Sequence, residues 1–139
     1  MGSPSGNGHI IAPFFFDENV NGESYLNMLN EEVIPEMNIL YDFDAWGDVR
    51  FQQNVWWFQD GAPYHRRRIV IDCLRELFGG QVVAFNHENE WPAISPDLTP
   101  CDFFLWGYIK CKVYLTPPPK IFVLRERIMH EFDQLKNNR

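Results

Sequence analysis

The spacing of apolar residues changes several times along this chain, and these changes limit the folds open to it. Short apolar runs that are typical of strands occur at residues 9–16, 51–59 and 81–85. Apolar residues recur at helical spacing in residues 23–37, 67–78, 102–114 and 121–135. Strands that alternate with helices indicate a layered α/β domain with at least one parallel pair of strands.

Individual residues predict where several of these elements end. Pro13 favours an edge position or a bulge for the first strand, because proline cannot donate to a strand ladder. Asn21 is a suitable cap for the first helix, and Pro35 predicts that this helix bends or ends just before it. Gly79 is expected to end the helix over 67–78, and residues 87–100 read as a polar, proline-rich loop.

Length and charge narrow the function classes. The 139 residues suffice for one domain with one buried core. A formal net charge of −7 is the wrong sign for a domain that holds DNA mainly by neutralising phosphates. Either the partner is not a nucleic acid, or the basic part of a larger protein lies outside this sequence. No apolar run is long enough to span a membrane, and the cysteines do not have metal-binding spacing.

Two aspartates are candidate catalytic and metal-binding residues. Asp60 directly follows the apolar run 51–59, at the end of a predicted strand, where open α/β sheets commonly form their sites. Asp102 lies near the start of an aromatic-rich helix. Together they could bind Mg²⁺ or Mn²⁺, which prefer oxygen ligands and activate a water or hydroxyl for phosphodiester attack. Simpler interpretations stay open, since aspartate before glycine is common in turns and a carboxylate favours a helix N-terminus.

Two longer motifs resemble those of a known family. Residues 58–65 (FQDGAPYH) are similar to the motif around the second catalytic aspartate of mariner-type DNA transposases. Residues 91–107 (WPAISPDLTPCDFFLWG) resemble the motif that contains their third catalytic acid, which corresponds to Asp102 and not to Asp97. Residues 11–29 resemble the segment that follows the first acid, so the resemblance covers almost the whole chain.

This resemblance implies a ribonuclease H-like fold, in which a mixed sheet is flanked by helices. It also implies a metal-dependent enzyme that cuts DNA strands and transfers the ends to a target. The core motifs would occupy residues 9–114 and a C-terminal helix residues 121–136 of a partial catalytic domain. The first acid and the first strands have no counterpart here, so the fold is expected to be truncated at its N-terminus. The chain as it stands is therefore expected to be inactive.

Partners follow from the same resemblance and from one basic cluster. His65, Arg66, Arg67 and Arg68 follow Asp60 closely and are candidate nucleic-acid-binding residues, although a solvated helix start and a structural histidine explain them equally well. The resemblance implies DNA as partner, self-association as in transposase dimers and a nuclear location, and the lack of a long apolar run predicts no membrane partner. The alternative is a non-catalytic module that binds nucleic acid or protein on a ribonuclease H-like fold.

Overall fold

A computed structural model describes residues 3–4, 9–41, 55–90, 92 and 104–137 of the chain. Two compact units make up the fold, a terminal unit (Met1–Phe15 with Asp97–Arg139) and a central unit (Phe16–Pro96). The elements in chain order are β1 (Ser3–Pro4), β2 (Ile10–Ile11), α1 (Gly22–Met28), a π-helical turn (Leu29–Val33), α2 (Ile34–Tyr41), β3 (Trp57–Phe58), α3 (Arg68–Phe78), β4 (Val82–Ala84), β5 (Asn89–Glu90), α4 (Trp106–Val113) and α5 (Ile121–Asn137).

The central unit contains a small three-stranded parallel sheet in the order β3-β4-β5. Trp57 pairs with Val82 and Phe58 with Val83, and the intervening chain forms α3. The predicted α/β architecture with a parallel strand pair is therefore confirmed. The predicted strand over 51–59 is paired only at Trp57–Phe58, while residues 51–54 lie outside the described residues.

The helical segment before the sheet is longer than predicted. Asn21 caps α1 as expected, since its side chain accepts from the backbone N–H groups of Glu23 and Ser24. The prediction that this helix ends near Pro35 was wrong, because α2 continues through the proline to Tyr41, while a bend there stays a prediction. A π-helical turn directly precedes Pro35, and such a turn changes the local hydrogen-bonding pattern without ending the helix.

Helix α3 packs one apolar side into the core of the central unit. Val70, Leu74 and Phe78 are fully buried at helical spacing, and the Phe78 ring lies 5.2 Å from that of Trp57 on β3. The helix ends at Phe78 as predicted. Gly79 follows with a positive φ of 57°, a backbone conformation that residues other than glycine rarely adopt.

Part of the predicted loop over 87–100 forms a strand, which corrects that prediction. Asn89 and Glu90 make β5, parallel to β4. The turn before it is held by side chains, since Arg75 donates to the Asn86 carbonyl at 2.7 Å and Asn89 donates to that of Gly80 at 2.8 Å. Asn86 has a φ of 60°, which asparagine tolerates better than most residues. The sequence around this strand is polar and lacks the apolar alternation that indicates a strand, so β5 was not predicted.

The terminal unit packs α4 and α5 around an apolar cluster. Its buried members are Ala12, Leu105, Ile109, Val113 and Phe132. The strand predicted over 9–16 is limited to Ile10–Ile11, since proline at position 13 cannot donate to a ladder. The helices predicted over 102–114 and 121–135 are observed as α4 and α5, with residues 101–103 outside the described part. No helix among the described residues has the length and apolar character needed to cross a membrane.

Candidate functional site at the end of β3

Asp60 lies at the carboxyl end of a parallel strand, where the sequence places it. The backbone N–H groups of Trp57 and Gln59 donate to the carbonyls of Gln81 and Val83 at 2.9 and 3.1 Å. The ladder therefore continues to Gln59, and the chain leaves the sheet at Asp60. A side chain at this point is positioned by the strand and still reaches solvent, and that of Asp60 is 33% exposed.

The carboxylate of Asp60 is held through one of its two oxygens. Oδ1 accepts from the Ala62 backbone N–H at 3.1 Å and lies 2.7 Å from Nδ1 of His65. The same Nδ1 lies 3.1 Å from the backbone carbonyl oxygen of Asp60. Since both oxygens are acceptors, the hydrogen must be on Nδ1 for either bond to form. Among the described residues these side-chain contacts all involve Oδ1.

His65 belongs to the interior and not to the basic surface with which the sequence groups it. Its side chain is only 3% exposed, and its ring lies 4.6 Å from the Tyr25 ring and 4.4 Å from the Tyr64 ring. The backbone N–H of His65 donates to the Ala62 carbonyl, which closes the turn after Asp60. The structure thus directs this histidine to the aspartate, while its predicted contact with nucleic acid would require an exposed ring.

Gln59 joins the residues of this site and was not recognised in the sequence. It is buried, and its Oε1 accepts from the Tyr25 hydroxyl and from Trp57 Nε1, both at 3.2 Å. Since both partners donate there, the amide nitrogen faces the other way, toward the His65 carbonyl at 3.5 Å. The signals in the sequence are a polar residue at the last position of an apolar strand and its place inside the motif over residues 58–65.

The Tyr25 hydroxyl acts as a donor over a wide pH range. Burial is the main cause that raises its pKa far above the ordinary value of 10.0, and the nearby Tyr64, Asp60 and Cys73 add to it. The side chain is 1% exposed, so its hydroxyl depends on Gln59 for a partner in the interior. Helix α1 is thereby connected to the end of β3.

Gly22 allows the start of α1 to approach the chain before α3. A Cβ atom at this position would lie 2.6 Å from Cγ and 2.8 Å from Cβ of Arg67. These atoms are close to the backbone of Arg67 and cannot move away cheaply. The absence of a side chain at Gly22 therefore lets α1 and its tyrosine pack beside the turn that carries His65.

The three candidate arginines are exposed at the start of α3. The guanidinium of Arg66 lies 5.1 Å from the centre of the Phe85 ring, in a cation–π contact. Arg67 is the N-cap residue of the helix, and Arg68 pairs with Asp72 at 3.4 Å on its exposed surface. All three remain accessible to an anion from solution, as a nucleic-acid-binding function requires.

Asp102 lies outside the described residues. The prediction that its carboxylate joins that of Asp60 in binding a metal ion therefore stays a prediction. Within the described part of the chain, no group of three or more His, Cys, Asp or Glu side chains is placed to hold a metal ion. Asp60 by itself fits such an ion as one ligand, because its carboxylate is a hard oxygen donor on a partly exposed side chain. Further oxygen ligands would have to complete the coordination.

Comparison of the chain with protein-family models and with curated proteins gave no match.

Proposed function

We propose that this chain is part of the catalytic domain of a mariner-type DNA transposase, with Asp60 as a metal-binding carboxylate. One observation supports the proposal: Asp60 follows a parallel strand, and its partly exposed carboxylate is held in place through Oδ1. The motif over 58–65 supplies the family resemblance for the same residue. A ribonuclease H-like fold is proposed with it, supported by two parallel strands joined through α3.

By resemblance, Asp102 is the second carboxylate of this chain that takes part in metal binding. A bound Mg²⁺ or Mn²⁺ would activate a water or hydroxyl for attack on a phosphodiester and stabilise the charge that develops there. The contribution of the protein is to present oxygen ligands in a fixed geometry. Self-association and a nuclear location are part of the same proposal.

Mn²⁺ binding tests the metal site directly. Titration followed by electron paramagnetic resonance should show weak binding to the wild-type chain, and Asp60→Asn or Asp102→Asn should weaken it about tenfold or more, which corresponds to roughly 1.4 kcal/mol. Asp72→Asn is the matched control, because Asp72 is an exposed carboxylate on α3 whose partner is Arg68. Equal binding by the wild-type chain and both site variants would contradict the proposal.

DNA binding by the chain should depend on the arginines at the start of α3. With a net charge of −7, affinity should be weak, indifferent to sequence and steeply lowered by salt, because released counterions supply most of it. Replacing Arg66, Arg67 and Arg68 together by alanine should abolish it. Replacing three exposed lysines of the terminal unit removes the same charge and should leave most of the binding; these are Lys110, Lys112 and Lys120.

Fluorescence anisotropy across a series of salt concentrations would measure both variants. Equal losses in both would show that overall charge, and not the arginine cluster, holds the DNA. Tight, sequence-selective binding that survives moderate salt, together with no metal dependence, would favour the non-catalytic binding module over the transposase.

A further inference from the structure

We propose that His65 is a positioning residue, which holds Oδ1 of Asp60 so that Oδ2 is presented to the cation. This inference rests on the proposed function, because the cation is the one assigned there to Asp60. It assigns His65 a task distinct from contact with a phosphate and distinct from proton transfer.

The contacts of His65 fix the donor. Nδ1 lies between two acceptors of the same residue, Oδ1 of Asp60 at 2.7 Å and its backbone oxygen at 3.1 Å. One N–H shared by these oxygens ties the side chain of Asp60 to its own backbone. The Ala62 N–H donates to the same Oδ1, so two donors from different residues restrict rotation of the carboxylate.

The packing of His65 fixes the ring. The tyrosine rings of α1 and of the neighbouring position both contact it, and the side chain is almost fully buried. Gln59 donates to the backbone carbonyl of His65, and Gln59 is held in turn by Tyr25 and Trp57. A donor that is itself held by packing and hydrogen bonds can keep a ligand in one geometry before the metal arrives.

Two substitutions separate the hydrogen bond from the bulk of the ring. In His65→Asn the amide nitrogen is as many bonds from Cβ as Nδ1 is, so it can donate to Oδ1. In His65→Gln the amide nitrogen is one bond further away and cannot take the same place. Thermal unfolding and near-ultraviolet circular dichroism would establish that both variants are folded before they are compared.

The first measurement needs no metal. Couplings between Hα and Hβ of Asp60, measured by nuclear magnetic resonance on aspartate-labelled protein, report whether its side chain occupies one rotamer. One rotamer is expected in the wild-type protein and in His65→Asn, and an average over several in His65→Gln. The proposal would be overturned if the Asp60 side chain averages over several rotamers in the wild type. It would also be overturned if folded His65→Gln keeps the same single Asp60 rotamer as the wild type.

The second measurement is Mn²⁺ affinity. His65→Gln should bind about tenfold more weakly than the wild type, the size of effect typical when an outer partner of a metal ligand is lost, and His65→Asn should recover most of it. Equal affinity of the wild type and folded His65→Gln would overturn the positioning role. A third outcome is that the wild type binds no Mn²⁺ while the Asp60 side chain still samples several rotamers in His65→Gln. In that case the proposed function fails, and the positioning of Asp60 by His65 stands.

Discussion

The interiors of the two units are built from different kinds of contact. The cluster in the terminal unit is apolar. The charged side chains near it donate hydrogen bonds to backbone carbonyls: Arg127 donates to those of Val113 and Thr116, and Lys136 to that of Ala12. The interior of the central unit contains the polar groups of Gln59 and His65 among its aromatic rings.

This difference indicates that one interior mainly stabilises its unit, while the other also fixes the orientation of particular side chains. Apolar contacts depend on area and shape and have little preference for direction, so a core of this kind stabilises without orienting any one atom. A buried polar group destabilises the fold unless its partner lies at the right distance and angle. Each such hydrogen bond therefore also fixes the positions of the side chains that make it. The central unit accordingly places its candidate site beside its polar interior. Three pairs of substitutions can break or sharpen this comparison.

The largest effect should come from the apolar cluster. Phe132 is fully buried and contacts Trp106 with a ring distance of 5.9 Å, so Phe132→Ala should lower the free energy of unfolding by about 3–5 kcal/mol. Phe122→Ala on the same helix is the control, because Phe122 is 63% exposed, and it should change stability by less than about 0.5 kcal/mol. Denaturant unfolding would measure both. Similar losses in the two variants would contradict the assigned core.

A smaller loss should follow when the polar interior is broken at its centre. Gln59→Leu leaves the Tyr25 hydroxyl and Trp57 Nε1 without their acceptor, which should cost about 2–4 kcal/mol. Adding Tyr25→Phe removes one stranded donor, so the double variant should regain about 1 kcal/mol or more over Gln59→Leu. Strict additivity of the two single changes in a double-mutant cycle would show that this pair is not coupled.

The smallest effect concerns one glycine in each unit. Gly22→Ala should destabilise by about 1–3 kcal/mol, because the new Cβ collides with Arg67. Gly107→Ala should instead stabilise by about 0.5–1 kcal/mol, since its Cβ would meet nothing within 4 Å and alanine favours a helix. Thermal unfolding would give the sign of each change. A Gly22→Ala variant that is as stable as the wild type, or more stable, would contradict the close approach of α1 to Arg67.

Features that depend on neighbouring residues in the chain could be predicted from the sequence. Asn21 as a cap, Gly79 as a stop and the buried side of α3 all follow from residues within a few positions of one another. The place of Asp60 at a strand end could also be predicted, because an apolar run and a following glycine mark it. These signals are local, and so is the physics behind them.

Features that depend on distant partners could not be predicted in this way. The Gln59 side chain accepts a hydrogen bond from Tyr25, which is far from it in sequence, and β5 forms by pairing with β4. Pro35 was expected to bend or end a helix, and the helix instead continues through it, with a π-helical turn directly before it. Whether His65 faces solvent or Asp60 likewise depends on the tyrosines around it.

The bond from Lys136 to the Ala12 carbonyl has a consequence for the order in which the chain can fold during synthesis. Ala12 completes a cluster whose other buried members begin at Leu105, so this segment cannot reach its partners until α4 and α5 have left the ribosome. The elements of the central unit are contiguous in sequence and can associate earlier. Until α5 emerges, Ile10 and Ala12 lack the apolar side chains of this cluster, and the surface they expose can be bound by chaperones.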